Sequence, residues 1–170
     1  MRLPRLRPLP RRTRLPADVR DALALAPGER VISAGRDSAN GWVVATDLAL
    51  HAPGRRMAWT DVVHAQWLPD EETLAVEPLP GTVPTWRLSL REPGRLPETV
   101  RERVMASIVM SRRVSLPGGG ARLVARRTGS SSDTSDLLWQ VVPDPGTDLS
   151  DPLVRADVET QLAMMRAELA

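Results

Sequence analysis

The sequence has no cysteine, phenylalanine, tyrosine or lysine, one asparagine (Asn40) and two isoleucines (Ile32 and Ile108). The lack of cysteine excludes disulfides and thiolate chemistry and leaves the redox compartment open. With phenylalanine and tyrosine missing, five tryptophans are the only aromatic side chains beside two histidines. Arginine, alanine, proline and leucine abound, as a G and C coding bias would leave them. Such a bias belongs to the gene and carries little about function. Long apolar runs are also missing: none approaches the roughly 20 residues that span a bilayer.

The missing lysines, tyrosines and cysteines explain a pI of 10.7 on a chain whose net charge is only +2. Nothing titrates at intermediate pH, so a small surplus persists until arginine itself loses protons. Distribution says more than the total. Arg2, Arg5, Arg7, Arg11, Arg12 and Arg14 stand in the first fourteen residues with no acid among them. The 17 arginines that remain face all 21 acids, so the body of the chain is mildly acidic. This N-terminus has the charge of a signal peptide but no apolar core, because Pro4, Pro8, Pro10 and Pro16 interrupt each short leucine group. A cytoplasmic protein is expected, with room for peripheral contact at the inner membrane face.

Organisation centres on Trp86 to Val109. Trp86, Leu88 and Leu90 alternate with Arg87, Ser89 and Arg91, which is a strand with one apolar face. Pro93-Gly94 breaks it. Leu96-Pro97-Glu98 then opens a helix, and Val100, Val104 and Ile108 recur at four-residue spacing. Arg112 and Arg113 suit the negative end of that helix.

Before this unit, residues 1–15 read as a disordered basic tail and 16–25 as a short helix with Val19, Leu23 and Ala26 near one face. Short strands follow over 30–34, 42–46, 48–52, 56–60, 62–68 and 73–77, with a polar loop at 35–41. Close spacing between turn residues argues for antiparallel connections. After it, Pro117 and Gly118 to Gly120 read as a hinge or turn. Ala121–Arg127 and Leu137–Val142 form a hairpin, and a helix from about Ser150 to Leu169 is capped by Ser150 or Asp151. Leu153, Val154, Val158, Leu162, Met165 and Leu169 share its broad apolar face.

Gly41-Trp42-Val43-Val44-Ala45-Thr46 with Asp47-Leu48-Ala49-Leu50, then Trp59 with Asp61-Val62-Val63-His64-Ala65-Gln66-Trp67, then a last strand running into a helix, resembles bacterial pleckstrin-homology-like (PH-like) domains of the uncharacterised actinobacterial type. The likeness covers about 28–113. It implies an α+β, mainly β fold: an antiparallel PH-like sandwich or barrel covered by a helix, here with an added C-terminal hairpin and helix. The expected divisions are a tail at 1–15, the PH-like domain at 16–113 and an extension at 114–170 packed on it. Family members that bind phosphoinositides use basic residues around the first interstrand loop. Here that loop holds Arg36 beside Asp37, too few charges for an inositol phosphate, so the site is not carried over.

Other motifs yield no chemistry. His51 and His64 stand in strands without a partner at motif spacing, and Asp70-Glu71-Glu72 reads as a solvated turn. Gly118 to Gly120 lack the ending of a phosphate loop, and Ser130 to Ser132 lack an elbow around a nucleophile. All five tryptophans are expected in strands as core filling. Thus no catalytic, cofactor-binding or metal-binding residues are assigned, and no small-molecule substrate is expected. The expected role is a non-catalytic interaction module that recruits a protein partner. Arg2, Arg5, Arg7, Arg11, Arg12 and Arg14 form a candidate surface for anionic membrane. The alternative is nucleic-acid binding through the same tail.

Overall fold

In β7 (Trp86–Glu92) the sequence alternation translates directly into burial: Trp86, Leu88 and Leu90 are inside while Arg87, Ser89 and Arg91 face water. The computed structural model describes residues 15–128 and 137–169. It begins with α1 (Ala17–Ala22) and six further strands before β7: β1 (Val31–Asp37), β2 (Trp42–Thr46), β3 (Ala49–Ala52), β4 (Arg55–Ala58), β5 (Val62–Leu68) and β6 (Thr73–Pro78). These seven strands form one antiparallel sheet in the order β4-β3-β2-β1-β7-β6-β5. α2 (Leu96–Ser107) follows β7 and packs on β5, β1 and β2 together. Because β5 and β2 stand far apart in the strand order, the sheet must curl around the helix.

Leu96, Val100 and Val104 of α2 enter a core with Leu50, Val62, Leu74, Val76 and Leu88. Each such side chain contributes roughly 1.5–3 kcal/mol by leaving water. Pro97 sits in the first turn of α2, where its missing N–H costs nothing, and Glu98 meets the positive end of the helix.

The expected α2 stripe overshoots. The helix ends at Ser107, and Ile108 begins β8 (Ile108–Leu116), so Arg112 and Arg113 belong to a strand and not to a helix end. Arg112 Nη2 reaches Glu168 at 2.6 Å, and Arg113 Nη2 reaches Asp144 at 2.6 Å. Alternation explains the outcome: Met110, Val114 and Leu116 join one core while Ser111, Arg113 and Ser115 are exposed. β-branched Ile108 and Val109 also favour extended backbone over continuation of a helix.

Of the two expectations for the glycine run, the turn is the one that forms. Leu116 pairs with Gly119, so Pro117-Gly118 is a two-residue turn between β8 and β9 (Gly119–Arg127), with Gly118 at φ +75°. Proline followed by a left-handed glycine is the chemistry of a type II turn. β9 pairs with β10 (Leu137–Pro143) as expected, but β8 makes this a three-stranded sheet, β10-β9-β8, in place of a hairpin. Residues 113 and 114, where the extension was expected to start, lie inside β8.

α3 (Pro152–Glu168) is capped by the Asp151 carboxylate, which accepts from the Leu153 amide at 2.8 Å. It covers this sheet with Val154, Val158 and Met165, whereas Leu153 is 72% exposed and leaves the expected face. Three smaller differences complete the comparison. α1 is shorter than expected and buries none of its residues. β1 continues to Asp37, whose carboxylate accepts from the amides of Ala39 and Gly41 and so tightens the loop. Trp59 and Thr60 lie in a 3-10 turn, 59–61, and not in a strand.

Candidate functional site

Thr46, at the end of β2, is the hub from which a cleft is built. Its Oγ1 donates to Glu29 Oε1 at 2.5 Å and accepts from the amides of Leu48 and Ala49. Glu29 also accepts from the Ala26 amide at 2.9 Å and from His51 Nε2 at 3.0 Å. Burial alone would push the Glu29 carboxyl up, but the hydrogen bonds from Thr46, His51 and Ala26, with the charge of His51, outweigh it and hold the group at about 2. Ionised, Glu29 can only accept, so His51 Nε2 carries the proton that faces it.

This knot fixes the chain just before β1 and aims the next residue outward. Arg30 gives its amide to Asp47 Oδ1 at 2.8 Å and its Nε to Asp47 Oδ2 at 3.2 Å. Beyond Arg30 opens a cleft of about 1120 Å³. Arg20 of α1 stands on one wall, Val31 to Ala34 of β1 form the floor, and Arg95, Thr99, Glu102 and Arg103 belong to the α2 wall. Past Asp47 and Arg103 it continues into a second depression of about 500 Å³, which adds Arg56 and Arg127.

The charge is one-sided. Arg20, Arg30, Arg56, Arg95, Arg103 and Arg127 line the two depressions against Asp47 and Glu102 alone. Among the described residues Arg30 is paired with Asp47 at 3.2 Å, and Arg56 lies 4.0 Å from Glu29. No ion pair engages Arg20, Arg95 or Arg103 within this described set. Arginines clustered at an open cleft recognise carboxylate or phosphate groups through forked, charge-assisted hydrogen bonds.

The cleft exists because two neighbouring strands part. β1 keeps register with β7 only at Arg36 with Glu92 and Asp37 with Leu90. A Cβ on Gly35 would stand 3.0 Å from the Glu92 carbonyl oxygen and 3.2 Å from that of Pro93, so this close approach favours glycine, and a larger residue would push those carbonyls back by a few tenths of an ångström. Beyond it the chain turns at Pro93-Gly94 into α2, leaving Val31, Ser33 and Ala34 paired with β2 on one side and the stretch from Val31 to Ala34 lining the cleft on the other. Ser33 lines the cleft, and its hydroxyl oxygen is buried and without a hydrogen-bond partner among the described residues.

Arg2, Arg5, Arg7, Arg11, Arg12 and Arg14, like Ser130 to Ser132, lie outside the described residues. His51 and His64 are not a pair: His51 is buried in β3 against Glu29, whereas His64 is exposed in β5. Asp70, Glu71 and Glu72 are exposed in a turn, with Glu71 paired to Arg87. Among the described residues no group of three or more His, Asp or Glu lies close enough to hold a metal ion, and no helix is long and apolar enough to cross a membrane.

At the first interstrand loop, fold brings what sequence distance hid. Arg91 of β7 reaches Asn40 Oδ1 at 3.5 Å while Arg36 donates to the Asn40 carbonyl at 3.1 Å and stacks on Trp42. Both arginines are thereby tied to the loop itself, and the Asp37 carboxylate is beside them. The larger cleft was not assigned from sequence. One signal for it was legible: Arg95, Thr99 and Arg103 recur every four residues, on a stripe next to the buried Leu96, Val100 and Val104. No family model, curated protein or solved structure matches the chain.

Proposed function

We propose that this chain is a non-catalytic PH-like interaction module that recruits a protein partner by receiving an acidic segment in the arginine-lined cleft. The observation that carries this reading is the collection of six arginines against two acids on a chain whose body is otherwise mildly acidic. Support for the PH-like part comes from the seven-strand antiparallel order and the helix that enters the curl directly after the last strand. The cleft lining has no exposed aromatic platform, since the Trp59 that reaches it is buried, and this favours carboxylates over stacked bases. The tail arginines supply a separate, salt-sensitive attraction to anionic membrane of about 1 kcal/mol per residue near the surface.

Fluorescence anisotropy with a labelled peptide of alternating glutamate and valine tests the reading. Arg95→Glu with Arg103→Glu is expected to weaken binding by at least about tenfold, and rising salt to weaken it further. Single-stranded DNA and phosphatidylserine vesicles serve as competing probes. Undiminished peptide binding by the double variant, or a clear preference for either competing probe, overturns the cleft reading.

A further inference from the structure

Resting on the reading of the cleft as an acidic-segment site, we infer that the partner segment binds as an added β-strand on the free edge of β1. Four consecutive residues, Val31, Ile32, Ser33 and Ala34, line the cleft. β1 shifts register between Val31 and Ser33, and from Ser33 onward successive side chains point to opposite faces, so a surface that meets both Ser33 and Ala34 meets the strand along its edge. That edge has no strand beside it, because β7 departs after the pairing of Arg36 with Glu92. On the other side Val31, Ser33, Ala34, Gly35 and Arg36 pair with β2, with a register shift at Ile32, and the Asp37 amide donates to the Gly41 carbonyl at 3.0 Å. Backbone groups alternate in direction along an antiparallel strand, so with Asp37 turned to β2 the N–H and C=O of Ala34, a residue 3% exposed, turn to the side that β7 leaves.

Charge selects the occupant. A strand laid along β1 runs between Arg20 on α1 and Arg95 and Arg103 on α2, which meet acidic side chains. Ile32, 46% exposed at the same edge, offers apolar contact to the residues between them. The cleft, about 1120 Å³, has room for a short peptide. Strand addition supplies affinity through main-chain hydrogen bonds, and the arginines supply the preference for acidic sequence.

The test uses the full chain and an alternating glutamate–valine peptide of about six residues, the usual strand length. Two derivatives carry N-methyl groups on alternate backbone amides, one on each set. Only one set can face β1, so one derivative is expected to bind like the parent and the other to lose about tenfold or more. Hydrogen exchange should show the Ala34 amide newly protected by the parent peptide while that of Gly35, already directed to β2, is unchanged. Equal effects of the two methylation patterns, or no protection at Ala34, overturn strand addition and leave electrostatic capture standing. Parent-peptide binding that survives Arg95→Glu with Arg103→Glu, or that is lost when all six tail arginines are changed to Gln, overturns the cleft reading and this inference together.

Discussion

Glu29 shows how a single residue ties acid stability to the cleft. Its carboxyl sits at about 2, against an ordinary value of 4.5, because the donors that surround it more than offset the cost of burial. A group whose folded value is depressed stabilises the fold above its unfolded value, and that contribution fades as pH falls from 4.5 towards 2. Urea midpoints should therefore drop over this interval. Glu29→Gln should be less stable near neutrality by about 1–3 kcal/mol, since it disturbs contacts to Thr46 and His51, and should show a flatter acid dependence. A variant with the parental acid slope would exclude Glu29 as its source. The acid was not singled out from sequence, where it stands alone after Pro27-Gly28. Its meaning comes from Thr46 and His51, which the sheet brings to it from β2 and β3.

Elements are joined by a second buried polar group. Arg126 of β9 donates through Nε to Gln140 Oε1 at 3.0 Å and through Nη1 to Ser107 Oγ at 2.6 Å. Gln140 Nε2 donates in turn to the Thr60 carbonyl at 2.7 Å, and Ser107 donates to that of Val104 at 2.7 Å. The chain of bonds fastens the three-stranded sheet to α2 and to the 3-10 turn. Burial pulls the Arg126 guanidinium below its ordinary value, with the charge of Asp61 opposing the shift. Arg126→Met should cost about 1–3 kcal/mol by stranding neutral buried partners, and Gln140→Leu at least as much, because it leaves the buried guanidinium without its acceptor. The double variant should show a coupling of about 0.5–3 kcal/mol in denaturant unfolding. Strict additivity would mean that the two side chains act independently.

Period-two alternation made β7 legible, because one face of that strand is buried and the other wet, whereas β9 buries Leu123 to Arg126 on both faces and its pairing with β10 was read from the turn-like segment between them. β8 was harder to see. Val100, Val104 and Ile108 fit a helical stripe that runs past the true helix end, and only pairing across to β9 decides in favour of the strand.

At the scale of the whole molecule, the cleft depends on charges that the chain keeps far apart. Arg20, Arg30, Arg95 and Arg103 come from α1, the approach to β1 and the start and body of α2, so composition reports only a mildly acidic body while the fold brings these four to one cleft. Cation-exchange retention should register this gathering. Arg95→Glu with Arg103→Glu should elute well before Arg122→Glu with Arg155→Glu, although both pairs lower the net charge equally and the second lies on β9 and α3. Coincident elution would indicate that overall charge alone governs retention.

The bare border of β1 also bears on how the molecule lives beside its own copies. An uncovered strand carrying an exposed isoleucine invites edge-to-edge stacking of identical chains. Here any approaching twin would bring its own guanidinium groups against those of the first, so the features that welcome an acidic guest also discourage the chain from becoming its own guest.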